Sequence, residues 1–371
     1  MNRAQKIIIA VLVVIVVAGG GYYFYSSSKS KSGKQIETGG KTSQEAGVPL
    51  NSGNVSPISG LACPDWNRRA VAVMQPADVA ARPAAGFSDA DMVVEMPVIT
   101  ASITRLMGVY VCGNPDDVGS MRSARHDFLS VAAGLDAIFV HWGRSNIEKF
   151  KEVLNSKQFD DINCNDDAGN PGLAPGYCYR KEATGTMRGV DTGYAKFSKL
   201  IEGAQHYGFR MTNNFSGYPH QEEAVMDQRP SGGHLRVAFA GPFAAEYDYD
   251  KASNSYKRIW GNVADSDRNN GKPLTPKNVV VLMATSDQLV EGEQYNNVQL
   301  GDPWFDTNDS GDAYYYFNGQ EIKGTWKKDK SKATSKLMML DASGQEVKFV
   351  PGQIWLEVLE PGQTLRWTPT S

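Results

Sequence analysis

The stretch Met121-Arg122-Ser123-Ala124-Arg125-His126-Asp127-Phe128-Leu129-Ser130-Val131-Ala132-Ala133-Gly134, followed by Leu135-Asp136-Ala137-Ile138-Phe139-Val140-His141, decides the fold class. Its first part places Met121, Ala124, Phe128 and Val131 at helical spacing, so a helix is predicted over Met121–Ala133 and Gly134 stops it. Its second part, Ala137–His141, is a short apolar run of strand type. Working outward, Ala70–Met74, Met92–Val98 and Thr104–Val111 read as three further strands, and Ile147–Leu154 and Tyr194–Tyr207 as two further helices. Strands alternating with helices predict an α/β (α+β) N-terminal domain over residues 57–234. Within it, Asp160–Arg188 is a long polar excursion.

From about Leu235 the pattern changes to short strands separated by turn signals: Leu235–Phe239, Ala245–Tyr249, Tyr256–Trp260, Val279–Met283, Tyr314–Phe317, Glu321–Trp326, Lys336–Leu340 and Ile354–Val358. Asn318-Gly319 between two of them is a strong hairpin signal. A mainly antiparallel β domain is predicted over 235–371.

At the other end, Arg3 and Lys6 precede an uncharged stretch, Ile7–Tyr25, that closes on Tyr22-Tyr23-Phe24-Tyr25. A bilayer-crossing helix needs about 17–25 such residues, and aromatic rings suit the interface. Residues 1–25 are therefore expected to form a single transmembrane signal anchor. The alternative is a cleaved signal peptide cut near Ala18-Gly19-Gly20. Lys29, Lys31 and Lys34 put basic charge after the span as well, so orientation by the positive-inside rule is weak. Residues 26–56 are rich in Ser, Gly, Lys, Gln and Thr and read as a flexible spacer.

Cys63, Cys112, Cys164 and Cys178 all follow the spacer, and none forms a CxxC pair. Four separated cysteines behind an export signal read as two disulfides, Cys63–Cys112 and Cys164–Cys178 being favoured among three pairings. Buried free thiols are the alternative. The 38 basic and 41 acidic residues nearly cancel, which leaves no basic nucleic-acid footprint. Several motifs stop short of a site. Gly40-Lys41-Thr42 has Gln35 where a phosphate loop needs its first glycine. Two partial calcium loops, from Asp161 and from Asp306, have Gly172 and Phe317 where the closing glutamate belongs. His220-Gln221-Glu222-Glu223-Ala224 lacks the second histidine of a zinc helix. No metal and no cofactor is expected.

The chemistry-bearing stretch is Val118-Gly119-Ser120-Met121-Arg122-Ser123-Ala124-Arg125. With Ser120 as N-cap, Arg122 and Arg125 would lie three apart on the first helical turns, where the positive helix end disfavours cations. Two guanidiniums beside free helix N–H groups make a receptor for phosphate or carboxylate. The structural alternative pairs them with Glu95 or Asp136. His141 ends a strand and is followed by Trp142-Gly143-Arg144-Ser145, a place for an acid–base group or a ligand donor. Glu95 sits inside an apolar strand, with Arg105 as its expected partner.

The successive motifs Arg82-Pro83-Ala84-Ala85-Gly86-Phe87-Ser88-Asp89-Ala90-Asp91, Met92-Val93-Val94-Glu95, Ile103-Thr104-Arg105, Gly119-Ser120-Met121-Arg122-Ser123-Ala124-Arg125 and Asp136–Gly143 resemble those of the YerB-like family. Tyr247-Asp248-Tyr249-Asp250, Pro276–Val281, Gly319–Lys328 and Pro351-Gly352-Gln353-Ile354-Trp355 are similar to its C-terminal β domain. That bacterial group, many of whose members are described as lipoproteins, has no established function. The resemblance runs from about Pro57 to Leu359 and implies a two-part fold and an extracytoplasmic body. A lipid anchor would need a cysteine just after the apolar run, and none precedes Cys63, so the tether is expected to be the helix itself.

The functional expectation is a non-catalytic, membrane-anchored envelope protein that binds an anionic envelope polymer or small anion. Arg105, Arg122, Arg125, His141 and Glu95 would share one cleft. The alternatives are a hydrolase or transferase acting on an envelope phosphate or glycan, with Glu95 or His141 as acid–base, and a structural partner of another membrane protein.

Overall fold

The computed structural model describes residues 53–99, 103–156, 158–165, 177–289 and 296–370. The anchor expected at 1–25, and all but the last residues of the spacer, lie outside them. Among the described residues no helix is long and apolar enough to cross a membrane. Residues Gly47–Ser371 form one compact unit.

A ten-stranded mixed sheet is its backbone. In spatial order the strands are β18 (Met338–Asp341), β17 (Gln320–Lys327), β16 (Ser310–Phe317), β13 (Asn278–Met283), β19 (Ile354–Leu359), β2 (Met92–Pro97), β3 (Thr104–Tyr110), β1 (Val71–Pro76), β5 (Ile138–His141) and β6 (Asp161–Asn163). The boundary expected at residue 235 does not divide this sheet: β19, from the second half, pairs in parallel with β2 from the first. β1 and β5 are also parallel, and so are β5 and β6, joined by a helical crossover.

β1 and β2 are buried at every residue because the sheet is covered on both faces. Side chains alternate between two cores. Ala72, Met74, Val94 and Met96 enter one, with helices α1 (His126–Gly134) and α2 (Glu148–Asn155). Val71, Val73 and Val93 enter the other, with α3 (Phe197–His206) and a second sheet. That sheet is antiparallel, in the order β12 (Val263–Ala264), β11 (Ser255–Trp260), β10 (Ala245–Asp250), β9 (Gly232–Val237) and β20 (Leu365–Thr370). Its alternation of buried and open residues marks it as one-sided, as in Ala245–Asp250. A ribbon of β4 (Asp117–Gly119), β8 (Gly193–Lys196) and β7 (Cys178–Arg180), and a pair β14 (Ser286–Gln288) and β15 (Asn296–Val298), complete the described strands.

Asn318 and Gly319 turn between β16 and β17 with φ of 54° and 70°, the two positive values that a two-residue hairpin turn of this type requires. Two helix expectations are corrected. The helix placed at Met121–Ala133 begins only at His126, because Gly119–Arg125 gives its backbone hydrogen bonds to strand ends instead. The helix placed at Tyr194–Tyr207 begins at Phe197, since Gly193–Lys196 is a strand between β4 and β7. Both favoured disulfides are present, Cys63–Cys112 and Cys164–Cys178, and the described residues contain no free cysteine.

Candidate functional site

Gly119–Arg125 runs as an extended strap across the carboxyl ends of β1 and β5. The Arg122 N–H donates to the Met74 carbonyl at 2.9 Å, the Ala124 N–H to Gly143 at 2.9 Å, and the Trp142 N–H back to Arg122 at 3.0 Å. The Met121 N–H donates to Gly193, on β8, at 2.8 Å. Open α/β sheets gather ligands at such strand ends. Ser120 is not a helix cap: it is fully buried and its hydroxyl donates to the Asp191 carbonyl. Arg125 takes the cap position, so Arg122 stands on the strap and not on a helical turn.

The strap brings four of the expected residues to one end of the sheet. Arg105 donates to the Ser123 carbonyl at 2.5 Å. Arg125, 7 % exposed, donates to the Ala124 carbonyl at 2.9 Å. His141 is fully buried between the Gly143 carbonyl at 2.7 Å and the Asp161 carboxylate at 3.2 Å. Arg122 reaches Asp191 at 3.0 Å and Asp78 at 3.2 Å. Neither Glu95 nor Asp136 is its partner; Asp136 serves Arg69 and Arg210.

Three arginines that the sequence reading left out of the site join this end. Arg188 shares both of Arg122's carboxylates, at 2.7 Å from Asp191 and 3.0 Å from Asp78. Burial raises the Asp191 carboxyl, but the Arg188 hydrogen bonds and the Arg122 charge outweigh it and hold the group below the usual carboxylate range. Arg180 lies over the Trp142 ring at 4.5 Å, on the strand that the Cys164–Cys178 bridge fastens to the end of β6. Arg144 follows Trp142, and its side chain has no hydrogen-bond or ion-pair partner among the described residues.

A further set of atoms separates this region from an ordinary ion-pair network. The Nε of Arg122, the Nε of Arg144, the Trp142 indole Nε1, the Asn163 Nδ2 and the Ser145 hydroxyl are all buried without a hydrogen-bond partner among the described residues. Three contacts put them in neighbouring loops: Ala124 bridges Arg144, the Ser145 N–H donates to the Ala124 carbonyl at 3.3 Å, and the Gly143 N–H donates to the Asn163 side-chain Oδ1 at 2.9 Å. Four of the five groups are obligate donors, and buried polar groups are paired in the great majority of cases. Arg122 and Arg188 here share the carboxylates of Asp78 and Asp191, and Arg144 and Arg180 add two guanidiniums that pair with no carboxylate among the described residues.

Glu95 is not part of this end, and its expected partner is corrected. In the β2–β3 register Glu95 lies opposite Leu106, and Arg105 opposite Met96. Facing residues share a side, so Glu95 and Arg105 point to opposite faces of the sheet. Glu95 turns toward the five-stranded sheet, where it accepts from Thr104 at 2.5 Å and from the fully buried Arg258. Arg258 also holds Asp265 and donates to the Tyr247 hydroxyl at 3.2 Å. Tyr247 in turn donates to Glu357, which lies beside Glu95 on β19. Burial pushes both glutamates up, Glu357 the further because the Glu95 charge adds to it. One arginine thus faces three buried carboxyls, and Glu357 is the one that receives no hydrogen bond from it.

Two consecutive family models cover most of the chain. The N-terminal domain of the protein of unknown function DUF3048 matches residues 58–210, and its C-terminal domain matches residues 235–356. The chain belongs to the DUF3048 family. All six arginines of the strap end lie in the DUF3048 N-terminal match, whereas Arg258 lies in the C-terminal one, so the Glu95–Arg258 pair fastens the two family domains together. The chain is 26 % identical over 311 residues to a Bacillus subtilis (strain 168) protein named "Putative lipoprotein YerB", covering 82 % of this chain and 86 % of that one. The crystal structure of YerB from Bacillus subtilis has the same fold, with a TM-score of 0.70 at 24 % identity, over 85 % of this chain and 99 % of that one.

Proposed function

We propose that this DUF3048 protein is anchored in the membrane by its N-terminal segment, carries its folded body outside the cytoplasm, and binds an anionic envelope ligand at the strap without transforming it. The observation that carries the reading is the set of buried donors of one kind, on Arg122, Arg144, Trp142 and Asn163, gathered in neighbouring loops at one end of the sheet. Charge-assisted bonds from guanidinium to phosphate or carboxylate satisfy such a set. Two disulfides suit an oxidising compartment, and the similar Bacillus protein carries lipoprotein in its name. Binding without turnover is favoured because the acid–base candidates are withdrawn: His141 is fully buried, and Glu95 faces the other side of the sheet.

The test is calorimetric titration of the folded body with a glycerol-phosphate polymer and, separately, with polygalacturonate as the carboxylate counterpart. Arg144→Gln removes a guanidinium that supports nothing else, so affinity is expected to fall about tenfold or more while the melting temperature holds. Unchanged affinity for both polymers in Arg144→Gln, or no binding by the parent chain, would sink the proposal.

A further inference from the structure

The first turn of α1, directly after the strap, packs against the segment from Val298 to Thr307, and carboxyls hold that segment in shape. The Val298 N–H donates to Asp127 at 2.9 Å. The Leu300 and Asp302 N–H groups both donate to Asp306 at 2.7 Å, and the Trp304 N–H donates to Asp302 at 2.7 Å. His126 closes the contact: its Nε2 meets the Asn297 Oδ1 at 2.9 Å, and its ring lies 4.5 Å from that of Phe305. Lys328, fully buried just after β17, gives its ammonium to the Gly301 and Ala333 carbonyls at 3.3 and 3.2 Å. His126, Asp127 and Asp302 are buried as well. The His126 Nδ1, one oxygen of Asp127 and one of Asp302 have no hydrogen-bond partner among the described residues. A buried network left partly unsatisfied in this way is sensitive to any added charge. On the outer side stand Lys149 of α2, 4.7 Å over the Phe305 ring, Lys330, which donates to the Thr307 carbonyl, and the exposed Asp329.

We propose that the Val298–Thr307 segment is a pH-sensitive latch on α1, firm in acid and loosened toward neutral pH as negative charge accumulates beneath it. Inside the contact the carboxyls of Asp127, Asp302 and Asp306 face His126 and Lys328, and Lys328 gives its hydrogen bonds to carbonyls instead. Asp302 and Asp306 are held by N–H groups of their own segment. Burial raises Asp302 to about 6 and Asp306 to about 7, and the Asp127 charge adds to both while the backbone N–H bonds oppose. The closed latch therefore keeps two protons that the open segment releases. Its stability is full below pH 4 and is lost as pH rises to 7. Lys328, lowered by burial to about 8, and His126, held at about 9 despite its burial by the Asp127 charge, stay protonated across that interval.

Hydrogen exchange of the full chain, read by mass spectrometry from pH 4.5 to 6.5, tests the latch. Protection of peptides spanning Val298–Thr307, corrected for the intrinsic pH dependence of amide exchange, is divided by that of β2 peptides in the same molecule. The division removes changes in global stability. In the parent chain the ratio should fall about tenfold or more across the window, since each unit of raised carboxyl is worth a factor of ten. The window ends at the ordinary histidine value, about 6.5, so His126 adds no slope. Asp302→Asn with Asp306→Asn keeps an oxygen acceptor at each position and removes the titration, so the ratio should stay flat at its acid level. A parent ratio that is flat or rises with pH overturns the proposal, and so does a double variant that keeps the fall. If the double variant does not fold, the parent chain and Asp306→Asn decide. The single variant should then show a shallower fall than the parent, and an equal one overturns the proposal.

Discussion

Replacing Arg258 by Met is the most informative test of what joins the two family domains. Arg258 is the fully buried cation bonded to both Glu95 and Asp265, and Met fills much of the same space. The substitution leaves the carboxyls of Glu95 and Asp265 in the core without the cation that bonds them, with only the Arg82 charge still acting on both. Breaking a buried pair by removing one partner costs about 3–5 kcal/mol. Unfolding entropy near 2.1 cal/mol/K per residue gives a body of roughly 320 residues about 0.7 kcal/mol/K, so the melting temperature should fall by about 4–8 °C. The loss should depend on pH. A carboxyl raised by burial holds its proton in the folded chain and releases it on unfolding, so it weakens the fold as pH rises. In the variant the carboxyls are raised further, so the gap to the parent chain should widen from pH 5 to pH 7.5. Adding Glu95→Gln should recover part of the loss by removing one stranded charge. Calorimetry of the parent chain, Arg258→Met and the double variant across that pH range reads all of this. A gap that is pH-independent, or no recovery in the double variant, would refute the reasoning.

Other outcomes follow from the same contacts. Asp191→Asn, which leaves Arg122 and Arg188 sharing Asp78, should cost about 1–3 kcal/mol at pH 7 in urea unfolding. Because that carboxyl is depressed in the fold, its contribution is present above pH 4 and lost on acidification, so parent and variant should draw together as the pH falls below 4. Removing the Cys63–Cys112 bridge, with 49 residues of separation, should cost about 4 kcal/mol as an upper bound, against about 3 for Cys164–Cys178 with 14, both read by denaturant titration. His126, buried against Asp127, is raised to about 9: desolvation opposes the shift, but the Asp127 charge and hydrogen bond override it. Its contribution, on the order of 3 kcal/mol, is full below pH 6.5 and lost as pH rises through 9, so a His126→Gln melt should be flatter over that interval than the parent's.

Much of the fold was legible in local pattern. The apolar runs of β1, β2, β3 and β5 and the Asn318-Gly319 turn are properties of neighbouring residues, and each reading lands within a few residues of the observed element. What failed depended on distant contacts. Met121–Arg125 has helical spacing, yet Met74, Gly143 and Gly193 compete for its N–H groups. The Glu95–Arg105 pairing failed because one step of register sends Arg105 to the other face, while the true partner stands 163 residues away. For the same reason nothing local reveals that β19 inserts between β13 and β2. Arg144 was within reach, since it sits two residues after Trp142 in a strand-end loop. Arg180 and Arg188 were hidden in a polar excursion whose course is set by a disulfide and a three-stranded ribbon.

The central claim is that the unpaired donors of the strap receive an anion. The most direct measurement follows the ¹⁵N–¹H signals of arginine Nε and tryptophan indole groups in the folded body as glycerol-phosphate polymer is added. The signals of Arg122, Arg144 and Trp142 should move together and saturate with the calorimetric affinity, while that of Arg258, held in its buried pairs with Glu95 and Asp265, stays in place. Saturable binding that leaves the Arg122, Arg144 and Trp142 signals unmoved would contradict the account.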